Sequence, residues 1–194
     1  MIHISIEGID GVGKSTAAKR LAEYLGFQLV EKPLHYLFDE EGDDNYIRIR
    51  DNVNQNKNQK YTGWFYGLGN IYLYEKFKDQ NIVTDRHILS NYCWSGSEET
   101  DYIFDAIYKT IKAPTFTFLI YADPEVVKSR LISRDKDDPD LKKVKYIPEA
   151  YEKMINVLKR YEMPSLIIDT TNMNADEVLN TMINELKKRG IING

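Results

Sequence analysis

The chain has 194 residues, of which 42% are hydrophobic and 29% charged, and a formal net charge of −4. That length suits one domain with a core that needs no disulfides, and the single cysteine, Cys93, excludes an intramolecular disulfide or a cysteine metal cluster. The mild acidity argues against a protein that coats nucleic acid, and no apolar run is long enough to cross a bilayer.

Residues 2–7 carry Ile2, Ile4 and Ile6 in alternation and predict a strand that starts beside Met1, so no cleaved leader is expected. A cytoplasmic enzyme is the expectation. Residues 8–15 then read Gly-Ile-Asp-Gly-Val-Gly-Lys-Ser, a complete G-x-x-x-x-G-K-[ST] loop. Chance places those four fixed positions in roughly 1% of chains of this length, so the loop is read as a phosphate cradle. Strong helix formers follow over 14–25 (KSTAAKRLAEYL), turning backbone N–H groups and a helix N-terminus towards an anion. Further strands are predicted at 27–31, 81–85, 115–121 and 165–169, and helices at 63–78, 101–112, 124–134, 148–161 and 175–188. This alternation predicts an α/β fold of three layers, a five-stranded parallel sheet with helices on both faces, in one domain over 1–194. Two stretches break it. The polar, Asn/Gln-rich segment 39–60 is expected as solvated loop, and the charged segment around Pro139 as a short mobile lid over about 134–147.

The loop residues have distinct physical tasks. Gly8, Gly11 and Gly13 let the backbone approach phosphate, and the amides from Gly11 to Thr16 would surround it. Lys14 adds an ammonium that follows charge between phosphate oxygens, and the Ser15 hydroxyl is placed to ligate Mg²⁺. The expected ATP site is therefore Gly8, Ile9, Asp10, Gly11, Val12, Gly13, Lys14, Ser15 and Thr16. Asp85 ends the strand at 81–85 and would hold the magnesium hydration shell or cap the next segment; Arg86 would clamp phosphate or pair with Asp85 or Glu31.

With the string Glu7–Thr16 (EGIDGVGKST), Asp85-Arg86-His87, the arginine-spaced lid and Ile168–Asn172 (IDTTN), the chain resembles the thymidylate kinases and deoxynucleoside kinases along most of its length. The resemblance implies a P-loop kinase fold and ATP-dependent phosphoryl transfer to a nucleoside monophosphate, dTMP and ATP giving dTDP and ADP, in a homodimer that binds neither nucleic acid nor membrane. It implies catalytic roles for Lys14, Asp85 and Arg86, adenine contacts from Arg130 and Asn172, and a hold on the acceptor's 3′-hydroxyl by Asp10. One thymidylate kinase type carries a catalytic arginine in the loop directly after the Asp; that position is Gly11, so the charge is expected from lid residues Arg134 and Lys136.

The acceptor side departs from the family pattern. The usual Arg-Glu-Pro is Glu31-Lys32-Pro33, which puts Lys32 where deoxynucleoside kinases have a glutamate base. In the helix at 63–78, Phe65 matches Phe-x-x-x-Arg but the arginine position is Gly69. Ser90 matches the segment after Asp-Arg, whereas the usual Ala-Tyr-Gln is Cys93-Trp94-Ser95. Arg86 and Lys32 would hold a monophosphate, with Phe65 and Tyr92, or another of the aromatics Trp64, Tyr66 and Trp94, against the base. Gly63, Gly67 and Gly69 suit close helix contact within the chain or across a dimer. His3 reads as strand packing, His87 as a pocket, capping or surface residue, and Cys93 as an inert buried thiol. Two other functions stay open: a deoxynucleoside kinase acting on a 5′-hydroxyl, and a nucleotide-binding switch, which the missing Asn-Lys-x-Asp motif disfavours.

Overall fold

The computed structural model describes residues 1–193. Its first half runs β1 (His3–Glu7), α1 (Lys14–Leu25), β2 (Gln28–Val30), α2 (His35–Phe38), α3 (Asp44–Asn54), α4 (Gln59–Lys76) and β3 (Ile82–Asp85). It continues with α5 (Ile88–Ser95), α6 (Asp101–Ile111), β4 (Phe116–Tyr121) and α7 (Pro124–Arg134). A 3₁₀ segment (Pro139–Tyr146), α8 (Ile147–Arg160), β5 (Ser165–Asp169) and α9 (Ala175–Lys188) complete it.

The five strands form one parallel sheet in the order β2-β3-β1-β4-β5. Every residue of β1 is buried, and since successive side chains point to opposite faces, both faces are covered. Ile4, Ile6, Phe116, Phe118, Leu119 and Ile120 fill the centre, each contributing about 1.5–3 kcal/mol through burial. Against the sheet, α1 buries Leu21 and the small residues Ala17, Ala18 and Ala22, which allow a close approach. The register sets Ile6 beside Asp85, so the phosphate loop and Asp85 leave the same edge of the sheet.

All five expected strands form, within one residue at each end, and so do the six expected helices, α4 beginning four residues earlier than its pattern suggested. The segment 39–60 is not solvated loop. It holds α3, because Tyr46 and Val53, seven residues apart, share a buried face, and the Asp39 carboxylate accepts from the Asn45 and Tyr46 amides at 2.9 and 3.0 Å. The lid segment likewise contains 3₁₀ turns. The α4 glycines serve contacts inside the chain: a Cβ on Gly67 would lie 2.4 Å from Ile107 of α6, and one on Gly69 would lie 3.2 Å from Leu34.

Candidate active site

At the end of β1 the loop bends back over α1. Gly11 has φ 84°, and a Cβ there would meet Leu131 and Val127 of α7 at 3.0 Å. The family's in-loop arginine therefore has neither the torsion nor the space it needs at this position. Lys14 is buried and its Nζ donates to the Ile9 carbonyl at 2.6 Å. Burial, then repulsion from Arg86, lowers its pKa to about 8, with Asp10, Asp85 and Glu7 opposing. The ammonium is thus held over the loop with little water around it.

Ser15 Oγ donates to Asp85 Oδ2 at 2.5 Å, while Asp85 Oδ1 is buried without a protein partner. A hydroxyl and an unsatisfied carboxylate oxygen side by side are hard oxygen donors, and they fit a magnesium ion that completes its shell with water and phosphate. Among the described residues no group of three or more His, Cys, Asp or Glu is arranged to hold a metal by itself.

Arg86 follows Asp85 with φ 77°, a torsion that costs a non-glycine residue about 1–3 kcal/mol. It aims the guanidinium back at the loop, where Nη2 pairs with Asp10 and Nη1 lies 3.5 Å from both the Gly8 carbonyl and Ser90 Oγ. Burial pushes the Asp10 carboxyl up, but Arg86, Lys14 and Lys143 outweigh it and bring its pKa to about 2. On the opposite flank, Arg130 donates to the Thr170 carbonyl at 2.9 Å and approaches the Val12 carbonyl at 3.4 Å, joining the loop to the β5–α9 turn. Asn172 lies exposed in that same turn.

The lid separates its cations. Arg134 is exposed and bonded to Asp138 at 2.7 Å through Nε, with Asp140 3.4 Å away. Lys136 is exposed. Lys143, which the sequence did not single out, reaches inward: its Nζ lies 3.4 Å from Asp10, 2.7 Å from Asp140 and 5.4 Å from the centre of the Trp94 ring. Its only sequence signal was membership of a charged run.

On the acceptor side, Lys32 pairs with Asp43 at 2.6 Å. Phe65 lies parallel to Phe38, centroids 6.4 Å apart, and edge-on to Tyr66. Two positions depart from expectation. Tyr92 turns away from the loop, its hydroxyl bonded to Asp101 at 2.7 Å and its ring packed on Phe104, because the helical turn of α5 points it at α6. His87 stands at the N-cap position of α5, but its side chain caps nothing: it is buried against His3 and Tyr74, with both ring nitrogens unpartnered. His3 does pack within the sheet, bonded to Tyr74 and Thr84, and Cys93 is a buried thiol whose pKa burial pushes up to about 12. The unexpected α3 brings Arg50. Its guanidinium donates to Asp51 Oδ1 at 3.0 Å from Nε and 2.7 Å from Nη2, and its charge, with that of Arg86, acts on Tyr46 of the same helix face and on Tyr66 of α4.

Residues 6–182 match the family model for thymidylate kinase. A probable thymidylate kinase of Methanococcus maripaludis is 30% identical over 200 residues, covering 94% of this chain and 96% of its own. The fold is shared with thymidylate kinase from Candida albicans (TM-score 0.71, 16% identity, 100% of this chain and 95% of that one). It is also shared with deoxyadenosine kinase from M. mycoides (TM-score 0.66, 18% identity, 96% of this chain and 100% of that one). With the phosphate loop, Asp85-Arg86 and the lid assembled at one edge of the sheet, the chain is a nucleotide kinase that belongs to the thymidylate kinase family.

Proposed function

We propose that the protein transfers the γ-phosphoryl group of ATP to a deoxynucleoside monophosphate, with dTMP as the first candidate, giving dTDP and ADP. One observation carries the choice of a phosphorylated acceptor: the position that would supply a nucleoside kinase with its carboxylate base is Lys32, tied to Asp43, while Arg86 faces the loop from the acceptor side. A guanidinium recognises phosphate bidentately and cannot act as a base. Arg50 of α3, paired with Asp51 at 2.7 Å, is the second cation we assign to that phosphate.

In this reading the loop amides and Lys14 hold the donor phosphates, Arg130 and the Thr170–Asn172 turn border the adenine, and Asp10 receives the acceptor sugar once Arg86 turns to phosphate. Ser15 and Asp85 would hold Mg²⁺, which supplies charge neutralisation of the donor phosphates when bound. The transition state spreads charge over the equatorial oxygens, so a cation delivered by the closing lid acts there and excludes water as it arrives. Lys143 is the first candidate on contact distance; Arg134, held by Asp138, and Lys136 are the alternates. An acceptor screen of dTMP, dCMP and dUMP beside thymidine, deoxycytidine and deoxyadenosine tests the assignment, and turnover of nucleosides alone would overturn it.

A second reading, a deoxynucleoside kinase, is favoured by Gly69 at the position of the family's arginine, where a Cβ would already lie 3.2 Å from Leu34 and 3.4 Å from Pro33. We also place the enzyme in the cytoplasm as a homodimer; no helix among the described residues is long and apolar enough to cross a membrane. The exposed stripe Tyr61, Trp64 and Leu68 on α4 supports dimerisation, and sedimentation of Trp64→Glu as an unchanged dimer would remove that face from the interface.

A further inference from the structure

Glu7 ends β1 fully buried, and the reaction as proposed gives it no task. Its Oε1 accepts from the Leu89 amide at 3.0 Å, and its Oε2 from the Ser90 amide at 3.1 Å and the Ser90 hydroxyl at 2.5 Å. The two amides are N-terminal donors of α5 that the helix itself leaves unpaired, so a carboxylate from the sheet caps a helix 82 residues away in sequence. The hydroxyl adds something a cap does not need. Because its proton points at Glu7, its lone pairs are free for Arg86 Nη1, 3.5 Å away, while Nη2 of the same guanidinium pairs with Asp10. Glu7, Ser90, Arg86 and Asp10 form one line from the sheet to the phosphate loop.

We propose that Glu7 is a positioning residue of the acceptor site, whose ionised carboxylate orients the Ser90 hydroxyl so that Arg86 is held ready for the acceptor's phosphate. This rests on the assignment of Arg86 to that phosphate. The direction of the hydroxyl depends on the charge of Glu7. Three donors face two carboxylate oxygens, and all are satisfied only when both oxygens accept. A proton on Glu7 must be donated somewhere, and Ser90 Oγ is the acceptor at hand; the hydroxyl hydrogen then rotates towards Arg86, donor against donor. The charged and titratable groups around Glu7 are Arg86 from the β3–α5 connection, Lys14 of α1 and Cys93 of α5. Burial raises the Glu7 pKa to about 7 against the pull of its hydrogen bonds and of Arg86, which places the reversal near neutral pH.

The test compares wild type with Glu7→Gln and Ser90→Ala, using dTMP as acceptor. Each variant should raise KM for dTMP by about 10-fold, while kcat and KM for ATP change by less than about 3-fold. In wild type, kcat/KM for dTMP should fall as pH drops through about 7. In Glu7→Gln only the limb of the acceptor phosphate itself, near pKa about 6, should persist. Folded variants with unchanged KM for dTMP and an unchanged pH profile would overturn the proposal, whatever their melting temperatures. A second readout needs no turnover. The Arg86 guanidinium resonances should be resolved by restricted rotation at about pH 8 and should average at about pH 6 or in Glu7→Gln. Resolved signals in all three conditions would overturn the proposal, whereas a wild type inert towards dTMP would overturn only the assignment of the acceptor.

Discussion

Replacing Lys143 with Met removes the lid ammonium that reaches Asp10 and keeps most of the aliphatic stem that packs near Trp94. In the resting protein the loss is small. At 3.4 Å the bare attraction to Asp10 is about 5 kcal/mol for an effective dielectric constant of about 20, but the Lys143 side chain is 47% exposed, Asp10 keeps Arg86 and Asp140, which also loses its lysine, keeps Arg134, so the net contribution is about 1 kcal/mol. For a chain of this size that is a melting shift of about 2–4 °C at most. In the proposed transition state the same ammonium would meet charge that has just developed, in a site closed to water, where one such donor is worth about 3–4 kcal/mol, or about 100- to 1000-fold in kcat. A coupled assay of ADP formation with dTMP should therefore show kcat lowered about 100-fold in Lys143→Met, with KM for ATP within about 3-fold of wild type. Arg134→Met should lower kcat by less than about 5-fold, since its guanidinium pairs with Asp138 and Asp140 of the lid, whereas Lys143, although also paired with Asp140, reaches Asp10 of the loop. The opposite order, a crippled Arg134→Met beside an active Lys143→Met, would refute the choice of lid cation.

Three other expectations follow from single positions. Gly11→Ala forces a β-carbon into a left-handed torsion 3.0 Å from Leu131 and Val127, and should destabilise the protein by about 1–3 kcal/mol and weaken ATP binding; calorimetry showing neither would mean that α7 yields easily. Arg50→Ala should raise KM for dTMP about 10-fold and leave that for ATP unchanged, and equal losses for both substrates would remove Arg50 from the acceptor wall. His87 is buried neutral with a pKa lowered to about 3 from an unfolded value of 6.5, so its contribution is present above pH 6.5 and is lost as the pH falls towards 3. At about pH 5 the loss is about 2 kcal/mol. His87→Leu should flatten that acid limb in thermal unfolding, and an unchanged limb would assign the acid sensitivity elsewhere.

What could be read from the residues alone followed their locality. The phosphate loop is eight consecutive positions, and the alternation of Ile2, Ile4 and Ile6 needs only its neighbours, so the strand, the loop and α1 were legible together. The short α5 was not, because its cap is Glu7, far away in sequence, and no pattern within 88–95 announces it. In α3 the signal existed, with Tyr46 and Val53 on one face, but seven polar residues out of eleven hid it under the composition of a loop. The reach of Lys143 was hidden for a related reason. Spacing along a helix put Arg134 and Lys136 forward, yet the 3₁₀ turns after Pro139 swing Lys143 over the loop and leave Arg134 to its own carboxylates. Tyr92 was an error of one side chain: helical phase, rather than proximity to Arg86, decides which way a residue of α5 faces.

The most direct test of the whole assignment is the fate of two acceptors offered with ATP and Mg²⁺, dTMP and thymidine, followed by ³¹P NMR or chromatography of the products. Wild type should convert dTMP to dTDP and leave thymidine unchanged, and Lys14→Ala should do neither. Conversion of thymidine to dTMP without further phosphorylation would contradict the reading of Arg86 and Lys32 as marks of a phosphorylated acceptor.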